Sequence, residues 1–157
     1  MSQEEIYNTR DRTYSAWHRR LSTGRYIGIE NAQLLAMIDL DASIYVEYDD
    51  GTKEPLALIE TAKDIGQTFK TATVTVKLAQ RADLPCFVLL YTPSGKCNPY
   101  DSQWPDIISF RAKRLHPKTE NGWRCFTPKE WAENLIKLRT WQAKKVDCEL
   151  YASRKTS

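Results

Sequence analysis

Ile38-Asp39-Leu40-Asp41-Ala42-Ser43-Ile44-Tyr45-Val46-Glu47-Tyr48-Asp49-Asp50-Gly51-Thr52, followed after two residues by Pro55-Leu56-Ala57-Leu58-Ile59-Glu60-Thr61, is the stretch on which the fold turns. Ile38, Leu40, Ala42, Ile44, Val46 and Tyr48 share one parity. Asp39, Asp41, Ser43, Tyr45, Glu47 and Asp49 share the other. This alternation predicts a strand with one face turned to a core, either long and bent or broken in two. Asp49-Asp50-Gly51-Thr52 supplies a hairpin turn, because Asp-Gly suits a two-residue type I′ loop. Leu56 to Thr61 reads as the returning strand. Pro55 lacks an N–H and belongs at an edge or loop position.

The register of that hairpin brings acids together. With Asp50 and Gly51 as the loop, Asp49 faces Thr52, and counting outward sets Asp41 opposite Glu60. Opposed side chains have Cβ atoms about 4.5–5.5 Å apart, and like charges there are destabilising. A divalent cation, a shared proton or a nearby Lys or Arg must offset them. Two carboxylates on adjacent strands suit Mg²⁺, which takes one or two such ligands together with water and phosphate. Asp39 shares the face of Asp41, would oppose Ala62, and is a third candidate metal ligand. A loop one residue longer would break the parity and send Glu60 to the other face. Asp39, Asp41 and Glu47 would then be a solvated strand face.

Outward from the hairpin, residues 10–21 read as a helix with Tyr14, Trp17 and Leu21 on one stripe, ended by Ser22-Thr23-Gly24. Residues 67–83 read as a helix with Phe69, Val76, Leu78 and Ala79 on a shared face, although Thr71, Thr73 and Thr75 lower its propensity. Pro85 to Tyr91 is an apolar run suited to a strand buried on both faces. Strand, helix and strand in this order predict a parallel crossover. Residues 93–105 hold three of the seven prolines and read as a loop, with Ile107–Phe110 as a further strand. Thr127-Pro128-Lys129-Glu130 is a helix start: Thr as N-cap, Pro at the first position, Glu at the third. That helix runs to about Lys144 with Trp131, Leu135, Leu138 and Trp141 inward, and a polar tail follows from Ser153. The expected organisation is one α/β (α+β) domain over residues 1–152 and a tail over 153–157.

A chain of 157 residues with 41% apolar and 27% charged residues fits a single globular domain that folds without a metal or disulfide. The net charge of +3 permits a polyanion partner without demanding one. Cys86, Cys97, Cys125 and Cys148 show no Cys-x-x-Cys spacing, which argues against a zinc knuckle. The polar N-terminus lacks a signal-peptide pattern, and no apolar run is long enough for a membrane span. The expectation is a cytoplasmic protein with reduced thiols and no membrane partner. There is no Walker A, GxGxxG, HExxH or GxSxG sequence, so nucleotide hydrolysis, dinucleotide redox chemistry and zinc proteolysis lack a motif.

Asp39-Leu40-Asp41, the hairpin, and Pro55-Leu56-Ala57-Leu58-Ile59-Glu60 together resemble the core of the PD-(D/E)xK nuclease superfamily. Trp17-His18-Arg19 on the flanking helix and Lys77-Leu78-Ala79 followed by Leu84-Pro85 are similar to members found in phages and prophages. The resemblance covers about residues 12–92. It implies a restriction-endonuclease-like core: a helix, an antiparallel three-stranded meander, a crossover helix and a further strand, here with an added C-terminal helix. It also implies a hydrolase acting on DNA or RNA with Mg²⁺ or Mn²⁺, Asp41 and Glu60 as the metal-binding acids, and the carbonyl after Glu60 as a further ligand. The family's lysine stands two residues after the acid, and here that residue is Ala62. Lys63 is adjacent but would point to the opposite face. Lys70 and Lys77, on the expected crossover helix, are the other candidates. Ala62 equally suits a catalytically inactive descendant that binds nucleic acid or a protein partner, or a second copy of itself, as a phage or mobile-element accessory factor.

Other residues carry weaker signals. His18, Arg19 and Arg20 could touch phosphate, although a helix-surface His among arginines is ordinarily solvated. Trp17, Trp104, Trp123, Trp131 and Trp141 could stack bases, although Trp131 and Trp141 suit core packing better. Lys113-Arg114 and Lys137, Arg139, Lys144 and Lys145 could line a polyanion groove or form a charged outer face.

Overall fold

A computed structural model describes residues 11–156. The chain groups into two compact units, one ending at Asp39 and one beginning at Leu40, where the sequence suggested one domain. The first holds three short helices, α1 (Thr13–Arg19), α2 (Gly24–Ile27) and α3 (Ile29–Leu34). The expected single helix over residues 10–21 is thus seven residues long, and none of them is buried. Its stripe of Tyr14, Trp17 and Leu21 therefore makes no core. Among the described residues of this unit Ala32 of α3 is the buried one, 3.6 Å from where a Cβ on Gly24 would stand.

The second unit is a five-stranded mixed sheet in the order β1-β2-β3-β4-β5. Its strands are β1 (Ala42–Glu47), β2 (Lys53–Lys63), β3 (Cys86–Asn98), β4 (Asp101–His116) and β5 (Arg124–Phe126). Helix α4 (Thr73–Ala82) crosses from β2 to β3, which run parallel, as the strand–helix–strand pattern predicts. The other neighbours are antiparallel. Helix α5 (Pro128–Thr156) follows β5 and continues through the residues read as a polar tail. Among the described residues two strands, not three, precede the crossover helix. Residues 35–41 lie outside the sheet, so the alternation from Ile38 begins to form strand only at Ala42. The three-stranded meander lies instead after the crossover, as β3-β4-β5.

The hairpin reaches the expected register by an unexpected route. Its loop has three residues, Asp49, Asp50 and Gly51: the Gly51 N–H donates to Tyr48 O (2.9 Å) and the Tyr48 N–H to Thr52 O (2.9 Å). Gly51 has φ +84°, the left-handed residue that such a loop requires. The extra residue shifts the first pairs, Glu47 with Lys53 and Tyr45 with Pro55, by one. A bulge then places Leu56 opposite no partner, and Ile44–Ala57, Ser43–Leu58 and Ala42–Ile59 regain the count that sets Asp41 against Glu60. Pro55, without an N–H, sits beside that bulge, where a missing ladder bond costs least.

Two clusters fill the layers on either side of the sheet. Leu58 and Cys86 pack with Ala79 of α4, while Ile59, Leu89 and Ala112 pack with Trp131 of α5. The apolar run Cys86–Leu90 is covered on both faces, as its composition predicts. Residues 93–105, read as a loop, form instead the far part of the β3–β4 hairpin. Pro93 pairs with Ile107 and Pro105 with Cys97, each at a register shift that tolerates the missing donor. The N-terminus of α5 has the expected capping box: the Glu130 N–H donates to Thr127 Oγ1 (3.2 Å), and the Thr127 N–H to Glu130 Oε2 (2.8 Å). Trp141 is 66% exposed and does not join the core. All four cysteines are free thiols.

Candidate functional site: two acids and a lysine at the end of strand β2

Glu60 closes the buried run Leu56–Glu60 of β2, on the face covered by α4. Asp41 stands one residue before β1, and its Oδ2 accepts the Thr61 N–H at 2.8 Å. Both carboxylates reach one cation. Lys70 Nζ lies 3.1 Å from Glu60 Oε2 and 3.5 Å from Asp41 Oδ2, and donates to the Thr61 carbonyl at 2.8 Å. The two acids therefore share a face, and the repulsion between them is offset by an ammonium. The side chains are 10% exposed for Glu60, 23% for Lys70 and 35% for Asp41, so the group opens to solvent on the Asp41 side. Partial burial pushes the Asp41 carboxyl up. The Thr61 N–H, the Lys70 charge and hydrogen bonds with Glu60 and Lys70 outweigh this and hold it below the usual carboxylate range.

Thr75, fully buried on α4, donates its hydroxyl to Glu60 Oε1. Glu60 is thereby held from both oxygens, by a hydroxyl on one and an ammonium on the other. Burial, with the Glu60 charge adding to it, pushes the neighbouring Cys86 thiol up to about 11, so it remains a protonated core residue.

Lys70 does not come from a helix. Residues 67–72 are irregular, α4 starts at Thr73, and Phe69, expected on the inner helix face, is 74% exposed. A clamp fixes this segment. The Arg111 guanidinium of β4 donates to both oxygens of Asp64 (2.7 Å each) and to Gln67 O (2.9 Å). It also lies over the Trp123 ring, 5.2 Å from its centroid, and the Trp123 indole N–H donates to Thr68 O at 3.1 Å. The fork from Arg111 holds the Asp64 carboxyl down at about 2.

The remaining sequence candidates fall elsewhere. Lys63, the last residue of β2, and Lys77, on α4, are exposed and enter no contact with the acids. Asp39 is not in a strand; it belongs to the first unit, where Arg19 pairs with it at 2.9 Å. His18 is engaged through both ring nitrogens, Nε2 to the Leu35 carbonyl (2.7 Å) and Nδ1 to the Tyr14 hydroxyl (3.2 Å), and so fastens that unit. Arg20 is exposed at the end of α1. Asp64 and Arg111 escape the sequence reading, and Thr75 and Trp123 enter it only in other roles. A Glu–Thr contact across a crossover has no fixed spacing, and an Arg–Asp fork 47 residues apart leaves no local pattern.

Chemically, the acids and the Thr61 carbonyl are hard oxygen donors of the sort Mg²⁺ accepts. Among the described residues no three His, Cys, Asp or Glu side chains gather as a metal cluster, so a cation here would rest on two carboxylates and main-chain oxygen. No helix among the described residues is long and apolar enough to cross a membrane. Comparison with family models, with curated proteins and with solved structures finds no match.

Proposed function

We propose that the chain is a metal-dependent phosphodiester hydrolase acting on DNA or RNA, with Asp41 and Glu60 as metal-binding acids and Lys70 as the lysine of a PD-(D/E)xK-type site. One observation carries this reading. The strand position two residues after Glu60 is Ala62, yet an ammonium reaches the acid pair from elsewhere in the chain, with Nζ 3.1 Å from Glu60 and 3.5 Å from Asp41. Bound Mg²⁺ or Mn²⁺ would supply an activated water and polarise the phosphate. Asp41, Glu60 and the Thr61 carbonyl would hold it. Lys70 would orient the attacking water and offset charge developing on the phosphate. Thr75 keeps the Glu60 carboxylate from rotating away.

The test is incubation with labelled duplex, single-stranded and branched DNA and with RNA, in Mg²⁺ or Mn²⁺. Cleavage should vanish on chelation and in Asp41→Ala and Glu60→Ala. No cleavage of any substrate, together with melting curves that Mg²⁺ leaves unmoved, would defeat the proposal. The non-catalytic alternative, a phage or mobile-element accessory factor binding nucleic acid or protein, draws on one observation of its own. Lys70 already neutralises both carboxylates, so the pair is held together without a cation.

A further inference from the structure

On the opposite side of the sheet from Glu60, α5 leaves a cavity of about 290 Å³. Its floor is aromatic: Phe87, Phe126 and Trp131, with the Trp131 ring 6.4 Å from that of Phe87 and 5.7 Å from that of Phe126. Its rim is cationic: Arg114, Arg124 and Lys137. None of the described residues lining it is acidic. Glu120 lies behind the rim, pairing with Arg124 at 3.1 Å and accepting the Arg114 N–H at 2.8 Å, and offsets one of the three charges. Arg124 lies over the Phe126 ring at 5.4 Å, and Arg114 Nε donates to Lys118 O, so each guanidinium is oriented and keeps further N–H groups for a ligand. Lys137 has no ion pair among the described residues.

An aromatic floor and a rim of cations select a flat ring that bears a negatively charged substituent. The volume is at the small end of the roughly 300–1,000 Å³ typical of ligand sites. It suits one base with its phosphate and not a dinucleotide. Trp141, also on the lining and mostly exposed, adds a face on which a base can stack.

We propose that this cavity binds a nucleobase together with its phosphate, the ring on the aromatic floor and the phosphate on Arg114, Arg124 and Lys137. The site is independent of the acid pair and does not rest on hydrolysis. The full-length protein is titrated with adenosine monophosphate, adenosine, inorganic phosphate and a short single-stranded oligonucleotide, following tryptophan fluorescence and heat. The monophosphate or the oligonucleotide should bind, with adenosine and phosphate each about tenfold weaker or worse, since each lacks one half of the contacts. Binding of the oligonucleotide alone would identify the unit as part of a strand, and binding of the monophosphate as a free nucleotide. Lys137→Glu and Arg124→Glu alter exposed side chains and should each weaken binding about tenfold with circular dichroism unchanged. Three results would overturn the proposal: no binding of either ligand at millimolar concentration, affinity indifferent to both charge reversals, or a wild-type dimer that Trp141→Ser makes monomeric, which would mean a second copy covers the cavity.

Discussion

Two carboxylates brought to one face, Glu60 on β2 and Asp41 just before β1, repel, and in this chain the compensation comes from a lysine ten residues beyond the second acid. Lys70→Ala removes that compensation and leaves Glu60 partly buried beside Asp41. The variant should lose at least about 1–3 kcal/mol at neutral pH, the cost of leaving a buried hydrogen-bonding group without its partner, which is larger for a charged one. Mg²⁺ should restore part of its melting temperature if the oxygens accept a cation. Lys63→Ala and Lys77→Ala, at exposed positions, should stay within about 0.5 kcal/mol of wild type. In a cleavage assay Lys70→Ala should cost roughly a hundredfold and the other two little, because only Lys70 can reach a developing charge. Equal effects from all three lysines would contradict the assignment. Thr75 gives a second residue-level test. Thr75→Val keeps the shape and removes the hydroxyl that Glu60 accepts, and should cost about 1–3 kcal/mol in denaturant melts, while Thr75→Ser should recover most of it.

At the scale of elements, the segment between β2 and α4 is irregular but not loose, because Arg111 grips it by three hydrogen bonds. The Asp64 carboxyl is held at about 2 in the folded protein against an ordinary value of 3.8. A carboxyl whose folded value is depressed contributes stability above its unfolded value and loses it as pH falls toward the folded one. The clamp should therefore weaken between about pH 4 and pH 2, and acid melts of Asp64→Asn should show a smaller loss over that window than wild type. Arg111→Lys should not substitute, since an ammonium offers no planar fork and does not stack on Trp123 in the same way. The same elements mark how far the sequence could be read. The hairpin, the apolar β3 and the capped α5 announce themselves through alternation, composition and a capping box. Residues 67–72 do not: Phe69 continues the apolar spacing of Val76, Leu78 and Ala79, and the contacts that hold the irregular segment come from Arg111 of β4 and from Trp123, far along the chain. Three prolines likewise suggested a loop where bulges let β3 and β4 keep pairing. A two-residue turn predicts the pairing of Asp41 with Glu60; the turn has three residues, and the bulge at Leu56 restores that register.

At the scale of the molecule, nearly all of the buried side chains belong to the unit that begins at Leu40. Leu56, Leu58, Ile59, Val88, Leu90 and Trp131 fill the two layers beside the sheet, whereas the earlier unit contributes only Ala32 to the buried set among the described residues. Burial of apolar area is the main source of folding free energy, so the cooperative melt should be carried by the sheet unit. A chain starting at Leu40 retains Asp41, Glu60, Lys70 and Thr75 and every strand among the described residues. It should unfold in one transition by both circular dichroism and tryptophan fluorescence, with a denaturant slope reduced only in proportion to the surface removed. Any Mg²⁺-dependent rise in melting temperature should survive, because every group proposed to bind the ion is still present. His18, Arg19 and Arg20 are lost with the first unit. If they contact nucleic acid, the shortened chain should bind it less tightly, with a shallower dependence on salt, since fewer counterions are released. Unchanged affinity and an unchanged salt slope would leave those three residues with the roles their contacts already assign: His18 fastening Leu35, Arg19 pairing Asp39, and Arg20 exposed at a helix end.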